Sequence, residues 1–228
     1  MTHKGDLQKS YWDAKIKDWV MSSYQDKAEG VSYVERIAAR FRPPIRTRLA
    51  TALQLVGPIA REKVILDLGC GLGNFCFEIL RYQPQKVIGV DISSVALSEA
   101  GRICQGRGSC DKVEFIQGDI TALDSLPQAD VVVGLGVIDY LNKDQAKALF
   151  QKLDIPYFLF SFTEKRLSVL NFLHFIYLKS QHCPGYFKYS RKEIHSLIPR
   201  RFSPHFYEHD RVLFVTNLPG MRERLLYE

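Results

Sequence analysis

Residues 64–75 read VILDLGCGLGNF, in which a run of aliphatic residues carries Asp67 near its end and passes directly into Gly69, Gly71 and Gly73. Glycine is needed where the backbone turns sharply and where a ligand approaches with no Cβ in the way. The pattern is typical of a strand followed by a ligand-binding turn. Taken alone, it indicates a nucleotide site of any kind or merely a tight turn.

Strand-like and helix-like segments alternate on both sides of this turn. The predicted strands are 64–68, 87–90, 113–116, 131–135 and 157–162, and the predicted helices between them are 75–82, 95–104 and 144–153. Alternation at this spacing indicates βαβ units, and hence a doubly wound, mostly parallel α/β sheet covered on both faces. Two further strands, 205–207 and 212–216, with a turn at Glu208, His209 and Asp210, predict a closing hairpin.

The chain is predicted to form one domain, because it shows no repeat and no low-complexity linker. Its expected parts are an N-terminal helical cap (1–60), a cofactor-binding core (61–162), a lid insertion (163–189), and a C-terminal helix with closing strands (190–228). The cap is expected because the first 60 residues show helical spacing without strands.

Acidic residues follow successive predicted strands. Asp91 ends the second strand, where a carboxylate reaches the ribose hydroxyls of a nucleotide, and Asp119 follows the third, where it can accept a hydrogen bond from an adenine amino group. With Asp67, three carboxylates surround one crevice and would repel a pyrophosphate. S-adenosylmethionine carries a sulfonium and an ammonium but no phosphate, so the pattern predicts this cofactor and not a dinucleotide.

Together these segments resemble the successive motifs of the class I S-adenosylmethionine-dependent methyltransferases over about residues 60–160. The motifs are Asp67 to Gly73, Asp91, Gly118 with Asp119, and Asp130 to Leu135. The resemblance implies a seven-stranded Rossmann-like sheet of order 3-2-1-4-5-7-6 with an antiparallel seventh strand, and S-adenosyl-L-homocysteine as the product. It implies a glycine loop under the methionine and ribose, Asp91 at the ribose, and Asp119 with Ile120 at the adenine. The candidate cofactor-binding residues are Asp67, Gly69, Cys70, Gly71, Gly73, Asp91, Ile92, Asp119, Ile120 and Leu135.

The segment after the fourth strand, VVVGLGVIDYLNKD (131–144), bears on the acceptor. It lacks the Asn-Pro-Pro-aromatic or Asp-Pro-Pro-aromatic signature of amino methyltransferases that act on adenine or on glutamine amides. It resembles small-molecule methyltransferases instead. Asp139 and Tyr140 are similar in place to a His-Tyr pair of the magnesium-protoporphyrin O-methyltransferases, with Asp where that group has His. We therefore expect methylation of an O or C atom of a hydrophobic or aromatic small molecule.

Methyl transfer from a sulfonium needs in-line positioning, exclusion of water and, for some acceptors, a base. The candidate catalytic residues are His174, His182, Asp139 and Tyr140. Residues 163–189 form a long apolar and aromatic connection, which predicts either a packing helix or a mobile lid over the acceptor.

Composition limits the remaining alternatives. A net charge of +6 fits a basic enzyme with an anionic substrate, and it also fits an RNA-modifying methyltransferase or a non-catalytic S-adenosylmethionine-binding partner protein. The absence of a long basic tail disfavours nucleic acid.

No run of about 20 apolar residues and no signal core occur, so a cytoplasmic protein without membrane insertion is expected. The five cysteines show no metal-ligand spacing, so no metal is expected, and the oligomeric state is left open.

Overall fold

Seven strands form one mixed sheet in the order β3-β2-β1-β4-β5-β7-β6 in the computed structural model, which describes residues 4–24, 46–108, 110–165 and 185–220. The strands are β1 (Val64–Leu68), β2 (Lys86–Asp91), β3 (Val113–Gln117), β4 (Val131–Leu135), β5 (Tyr157–Phe162), β6 (His205–His209) and β7 (Val212–Thr216). Strands β1 to β5 pair in parallel, whereas β7 pairs antiparallel with both β5 and β6. The predicted sheet and its order are confirmed.

Helices precede the sheet and connect its strands. They are α1 (Lys4–Tyr24), α2 (46–56), α3 (Asn74–Glu78), α4 (Ser94–Arg107), α5 (Lys143–Lys152) and α6 (Arg191–Leu197). Helix α4 is capped at its start by Ser93, whose side chain accepts a hydrogen bond from the Ala96 amide, and at its end by Gly108 in the left-handed conformation. Asn142 and Ser190 each form a capping box at the start of α5 and α6.

The core lies on both faces of the sheet because successive side chains of a strand point in opposite directions. Ile65 of β1 packs in a buried cluster with residues of α2, α3 and α4. Leu66, the next residue, packs in a second cluster with residues of α5 and α6. Parallel strands covered on both faces explain why β1 and β4 are almost continuously apolar.

The structure differs from the prediction in one helix type and one turn. The helix expected over 75–82 is α-helical over Asn74–Glu78 and continues as a 3-10 helix over Ile79–Tyr82, and it ends at Gln83, which takes a left-handed φ of 58°. The hairpin turn lies at Asp210 and Arg211, with φ of 47° and 66°, so that β6 extends through His209. A two-residue turn with two positive φ values fits the twist of a hairpin better than the longer predicted turn.

The strand order reverses between β1 and β4, so the connections after these strands diverge and leave a crevice at their carboxyl ends. In the described part of the N-terminal cap, α1 and α2 contribute side chains to this crevice. Of the predicted lid, residues 166–184 lie outside the described residues, while its two ends, 163–165 and 185–189, are described.

Candidate active site

A cavity of about 330 Å³ lies at the carboxyl ends of the first four strands, with walls from α1, α2 and the connections that follow β1 to β4. Nine of the ten predicted cofactor-binding residues line it, namely Asp67, Gly69, Cys70, Gly71, Asp91, Ile92, Asp119, Ile120 and Leu135. The tenth, Gly73, stands just before α3, outside this lining. The residues chosen from sequence are thus brought together at one place.

The glycine loop after β1 is open toward the cavity and tight toward the core. A Cβ at Gly71, where φ is 53°, would meet nothing within 4 Å, whereas a Cβ at Gly73, where φ is 76°, would collide with the rings of Phe115 and Phe77. Both glycines adopt the left-handed region that other residues rarely take. The loop can therefore bring its backbone close to a ligand at Gly71, while Gly73 allows α3 to pack against β3.

Asp91 organises the glycine loop from the end of β2. Its Oδ2 accepts a hydrogen bond from the Gly71 amide at 2.8 Å, and its Oδ1 accepts one from the Ser93 amide at 2.9 Å. Burial raises the pKa of Asp91, although these amide donors oppose the rise and Asp13 of α1 adds to it. Each carboxylate oxygen has two lone pairs, so the side chain can still accept bonds from ribose hydroxyls.

Helix α1 is fixed beside this carboxylate through Asp13. The Asp13 Oδ1 accepts hydrogen bonds from the Ser93 hydroxyl at 2.6 Å and from the Val95 amide at 3.3 Å, which places a carboxylate at the start of α4. Along the same helix, Gln8, Trp12 and Ile16 recur every fourth residue and line the cavity. The N-terminal helix therefore forms one wall of the site.

Asp119 is held at the end of β3 by its own turn. Its Oδ1 accepts hydrogen bonds from the Thr121 amide at 2.8 Å and the Thr121 hydroxyl at 2.7 Å. These contacts orient the carboxylate and leave Oδ2 without a partner among the described residues. Ile120, only 7% exposed, lies next to it as an apolar surface of the kind that packs against a purine.

Asp67 is the most deeply buried acid of the cavity. The residue is 3% exposed, and its Oδ2 accepts a hydrogen bond from the Cys76 thiol at 3.4 Å. Burial raises the pKa of Asp67 to about 7, and the nearby carboxylate of Asp91 raises it further, against the opposing effect of Cys76. A carboxyl group with such a pKa gains most from a cationic ligand.

Arg48 of α2 is a cavity residue that the sequence reasoning did not select. Its Nη2 donates to Asp139 Oδ2 at 2.9 Å and to Thr163 Oγ1 at 3.3 Å, while its buried Nε has no partner within the described ranges. The guanidinium lies against Gly136 after β4, where a Cβ would collide with Nη1. Among the described residues that line the cavity, Arg48 is the only one with a positively charged side chain.

The four candidate catalytic residues lie in different surroundings. His174 and His182 lie outside the described residues. Tyr140 lines the cavity, with its ring edge-to-face against Trp12 at 4.8 Å between centroids, and its backbone oxygen accepts a hydrogen bond from the Gln8 amide side chain at 3.0 Å. Asp139 is 1% exposed and does not contribute to the cavity wall. Its carboxylate accepts hydrogen bonds from neighbouring side chains and backbone, which favours a positioning role over proton abstraction.

Two further observations on the described residues concern metal binding and membrane-spanning helices. No group of three or more His, Cys, Asp or Glu side chains in these ranges is arranged to hold a metal ion. No helix within the same ranges is both long enough and apolar enough to cross a membrane.

Comparison with known proteins agrees with this geometry. The family model described as a methyltransferase domain matches residues 65–154, which span β1 to the end of α5. The part of the chain that carries the sequence motifs is thus similar to a methyltransferase domain.

Individual relatives differ in their acceptors. The chain is 34% identical over 97 residues to a trans-aconitate 2-methyltransferase of Methylobacterium nodulans, covering 42% of this chain and 35% of the relative. It is 32% identical over 119 residues to a protein-lysine N-methyltransferase of Schizosaccharomyces pombe, covering 49% of this chain and 50% of the relative. The chain thus spans half or less of the length of these curated relatives.

A solved structure shares the fold over nearly the whole chain. The magnesium protoporphyrin IX methyltransferase of Synechocystis PCC 6803, crystallised with S-adenosylhomocysteine, superposes with a TM-score of 0.68. The superposition covers 93% of this chain and 99% of the other, at 17% sequence identity. At that identity the likeness establishes the architecture and leaves the acceptor open.

Proposed function

We propose that the protein binds S-adenosylmethionine in this cavity and transfers its methyl group to an oxygen or carbon atom of a hydrophobic or aromatic small molecule. The observation that carries the proposal is the charge arrangement, in which the cavity presents the three carboxylates of Asp67, Asp91 and Asp119 together with the guanidinium of Arg48. The cofactor carries a sulfonium, an ammonium and one carboxylate but no phosphate. Each charged group of the cofactor can therefore lie next to a group of opposite charge in the cavity.

The two ends of the cofactor are assigned by where these side chains stand along the sheet. Asp91 and Asp119 follow β2 and β3, on the side where ribose and adenine would lie. Arg48 and Asp67 stand by β4 and β1, where Arg48 would meet the methionine carboxylate and Asp67 the ammonium. The free Nε of Arg48 supports this assignment, because a buried donor without a partner is a costly arrangement that an anion would relieve.

The acceptor side of the cavity is aromatic. The rings of Trp12 and Tyr140 form an edge-to-face pair in its wall, and Leu141 continues the apolar surface. When bound, the cofactor supplies an activated methyl group, so the protein contributes alignment of the acceptor and exclusion of water. An apolar, aromatic wall does this best for a hydrophobic small molecule. The names of the trans-aconitate and magnesium protoporphyrin relatives support a small acceptor.

Arg48→Gln tests the assignment of the amino-acid end. We expect it to weaken S-adenosylhomocysteine binding by about 10- to 100-fold, because a charge-assisted pair with the ligand carboxylate is lost. Binding of 5′-methylthioadenosine, which lacks the amino-acid portion, should change less than about twofold by the same reasoning. Isothermal titration calorimetry with both ligands measures this difference. An equal loss for both ligands would contradict a contact with the carboxylate.

Transfer of labelled methyl groups tests the acceptor class. The purified protein, labelled S-adenosylmethionine and an extract of the source cells are incubated, and the small-molecule, RNA and protein fractions are counted separately. We expect label in the organic-solvent-extractable small-molecule fraction, and no label when heat-inactivated protein is used. Label confined to RNA or to protein would overturn the proposed acceptor, while leaving cofactor binding to be judged by calorimetry.

A further inference from the structure

We infer that Asp139 is a positioning residue that holds Arg48 in place for the ligand carboxylate. We further infer that Asp139 connects Arg48 to both ends of the segment 163–189. The inference rests on the proposed function, because it assigns Arg48 to the methionine end of the cofactor. It gives Asp139 a role different from that of a general base.

The contacts of the Asp139 carboxylate argue for this role. Oδ2 accepts hydrogen bonds from Arg48 Nη2 and from the Thr163 hydroxyl, both at 2.9 Å, and Oδ1 accepts one from the Thr163 amide at 2.7 Å. The side chain is 2% exposed, whereas that of Arg48 is 19% exposed and reaches the cavity. A carboxylate enclosed by three donors is poorly placed to take a proton from an acceptor, but it fixes the guanidinium that it binds.

Removing this anchor would change where the guanidinium lies. An arginine side chain has considerable rotamer entropy, so a free Arg48 would sample many positions and would also be drawn toward water. The pair with Asp139 limits it to the position beside Gly136, where its buried Nε remains without a partner among the described residues. Asp139 therefore pre-organises a donor edge before the ligand arrives.

The same residue ties together both described ends of the segment 163–189. Thr163, at one end, bonds the Asp139 carboxylate, and the Phe187 amide, at the other end, donates to the Asp139 backbone oxygen at 2.7 Å. The Tyr186 hydroxyl donates to Thr163 Oγ1 at 2.8 Å, and the Tyr189 amide donates to the backbone carbonyl oxygen of Thr163 at 3.4 Å. Displacement of Arg48 or Asp139 would therefore disturb the residues from which this segment leaves the sheet and returns.

Asp139→Asn in the full chain tests the inference, with S-adenosylhomocysteine and 5′-methylthioadenosine as the two probes. Asparagine keeps the shape of the side chain but removes the charge that holds Arg48. We expect S-adenosylhomocysteine affinity to fall roughly tenfold, and 5′-methylthioadenosine affinity to stay within about twofold, since only the former carries a carboxylate. A merely structural role would lower the affinity for both ligands together.

A double-mutant cycle with Arg48→Gln identifies the path of the effect. If Asp139 acts through Arg48, Asp139→Asn should cause no further loss of S-adenosylhomocysteine affinity in the Arg48→Gln background. Additive losses would overturn the inference, as would unchanged affinity in the single variant. If the wild-type protein binds neither probe, the proposed function fails, and that outcome differs from wild-type binding that Asp139→Asn leaves intact.

Thr163→Val provides the second variant if Asp139→Asn does not fold. It removes the hydroxyl that donates to Asp139 and accepts from Arg48, but it keeps the amide bond to Oδ1. We expect a smaller loss, about threefold, again confined to the ligand with a carboxylate. A Thr163→Val variant that is folded by thermal denaturation and binds both ligands as the wild type does would contradict the inference.

Discussion

Replacing Asp91 with alanine is expected to weaken S-adenosylhomocysteine binding by about 1 to 3 kcal/mol, or roughly 5- to 150-fold in Kd. Three losses add to this effect. Ribose hydroxyls would lose a charged acceptor, and the Gly71 amide would lose the bond at 2.8 Å that shapes the glycine loop. The Ser93 amide would lose its bond as well, so α1 and α4 would also be held less firmly at this point. Isothermal titration calorimetry measures the change.

Two further variants separate these contributions. Asp91→Asn keeps one oxygen for a backbone amide, so it should lie between the wild type and the alanine variant. Asp124→Ala removes an exposed carboxylate outside the cavity and should leave Kd unchanged. An unaltered Kd in a folded Asp91→Ala protein would show that Asp91 is only a strand-end residue and would remove the main support for the cofactor geometry.

Local patterns were sufficient to predict the sheet and most of the residues that line the cavity at its carboxyl edge. The apolar runs of β1 and β4 are buried on both faces, so their composition alone indicates parallel strands. Asp91 could be selected because it ends a strand next to the glycine-rich one, and parallel strands bring their carboxyl ends to the same edge. The motif resemblance added the strand order, which the structure confirms.

Residues that reach the site across long distances in sequence were not predicted. Arg48 belongs to a group of five arginines between positions 36 and 48, and no local pattern distinguishes it from the others. Its partner Asp139 is 91 positions away, so the pair is a property of the tertiary fold. The cofactor chemistry could have given a signal, since a ligand with a carboxylate calls for a cation and the motif residues supply none.

Asp139 shows how the same pattern can support two roles. An Asp-Tyr pair after the fourth strand stands where a base would be useful, and the sequence cannot reveal that the carboxylate is enclosed by Arg48 and Thr163. Exact turn lengths were beyond prediction for a similar reason. Whether β6 ends at Tyr207 or His209 depends on the register with β7, where His209 pairs with Val212.

Asp67→Asn is expected to stabilise the ligand-free protein at neutral and alkaline pH by about 2 to 4 kcal/mol. The pKa of Asp67 in the folded protein is about 7, well above the ordinary aspartate value, because the side chain is buried and faces the Asp91 carboxylate. Between the unfolded and folded pKa values, the folded state binds a proton that the unfolded state does not. Stability due to this group is therefore present at low pH and is lost as pH rises to about 7.

The most specific test is the pH dependence of the difference in unfolding free energy between Asp67→Asn and wild type. The unfolding free energy of Asp67→Asn relative to wild type should differ little near pH 4. The difference should grow by roughly 1.4 kcal/mol per pH unit and should level off above about pH 7. Urea denaturation of both proteins across this range measures it, with exposed Asp124→Asn as a control that should follow the wild type. Cys76, which donates to Asp67, must remain reduced throughout.

The same carboxyl group should make cofactor binding depend on pH. A ligand ammonium near Asp67 favours the ionised form, so wild-type affinity for S-adenosylhomocysteine should rise as pH increases from about 6 to 8, with proton release on binding. Asp67→Asn should bind more weakly at pH 8 and should lack this rise, because it has no proton to release. Calorimetry in buffers of different ionisation enthalpy detects the proton directly. A variant that is no more stable than wild type at pH 8, and that binds with the same pH dependence, would show that the pKa of Asp67 is not raised in the free protein and that this group does not respond to the ligand.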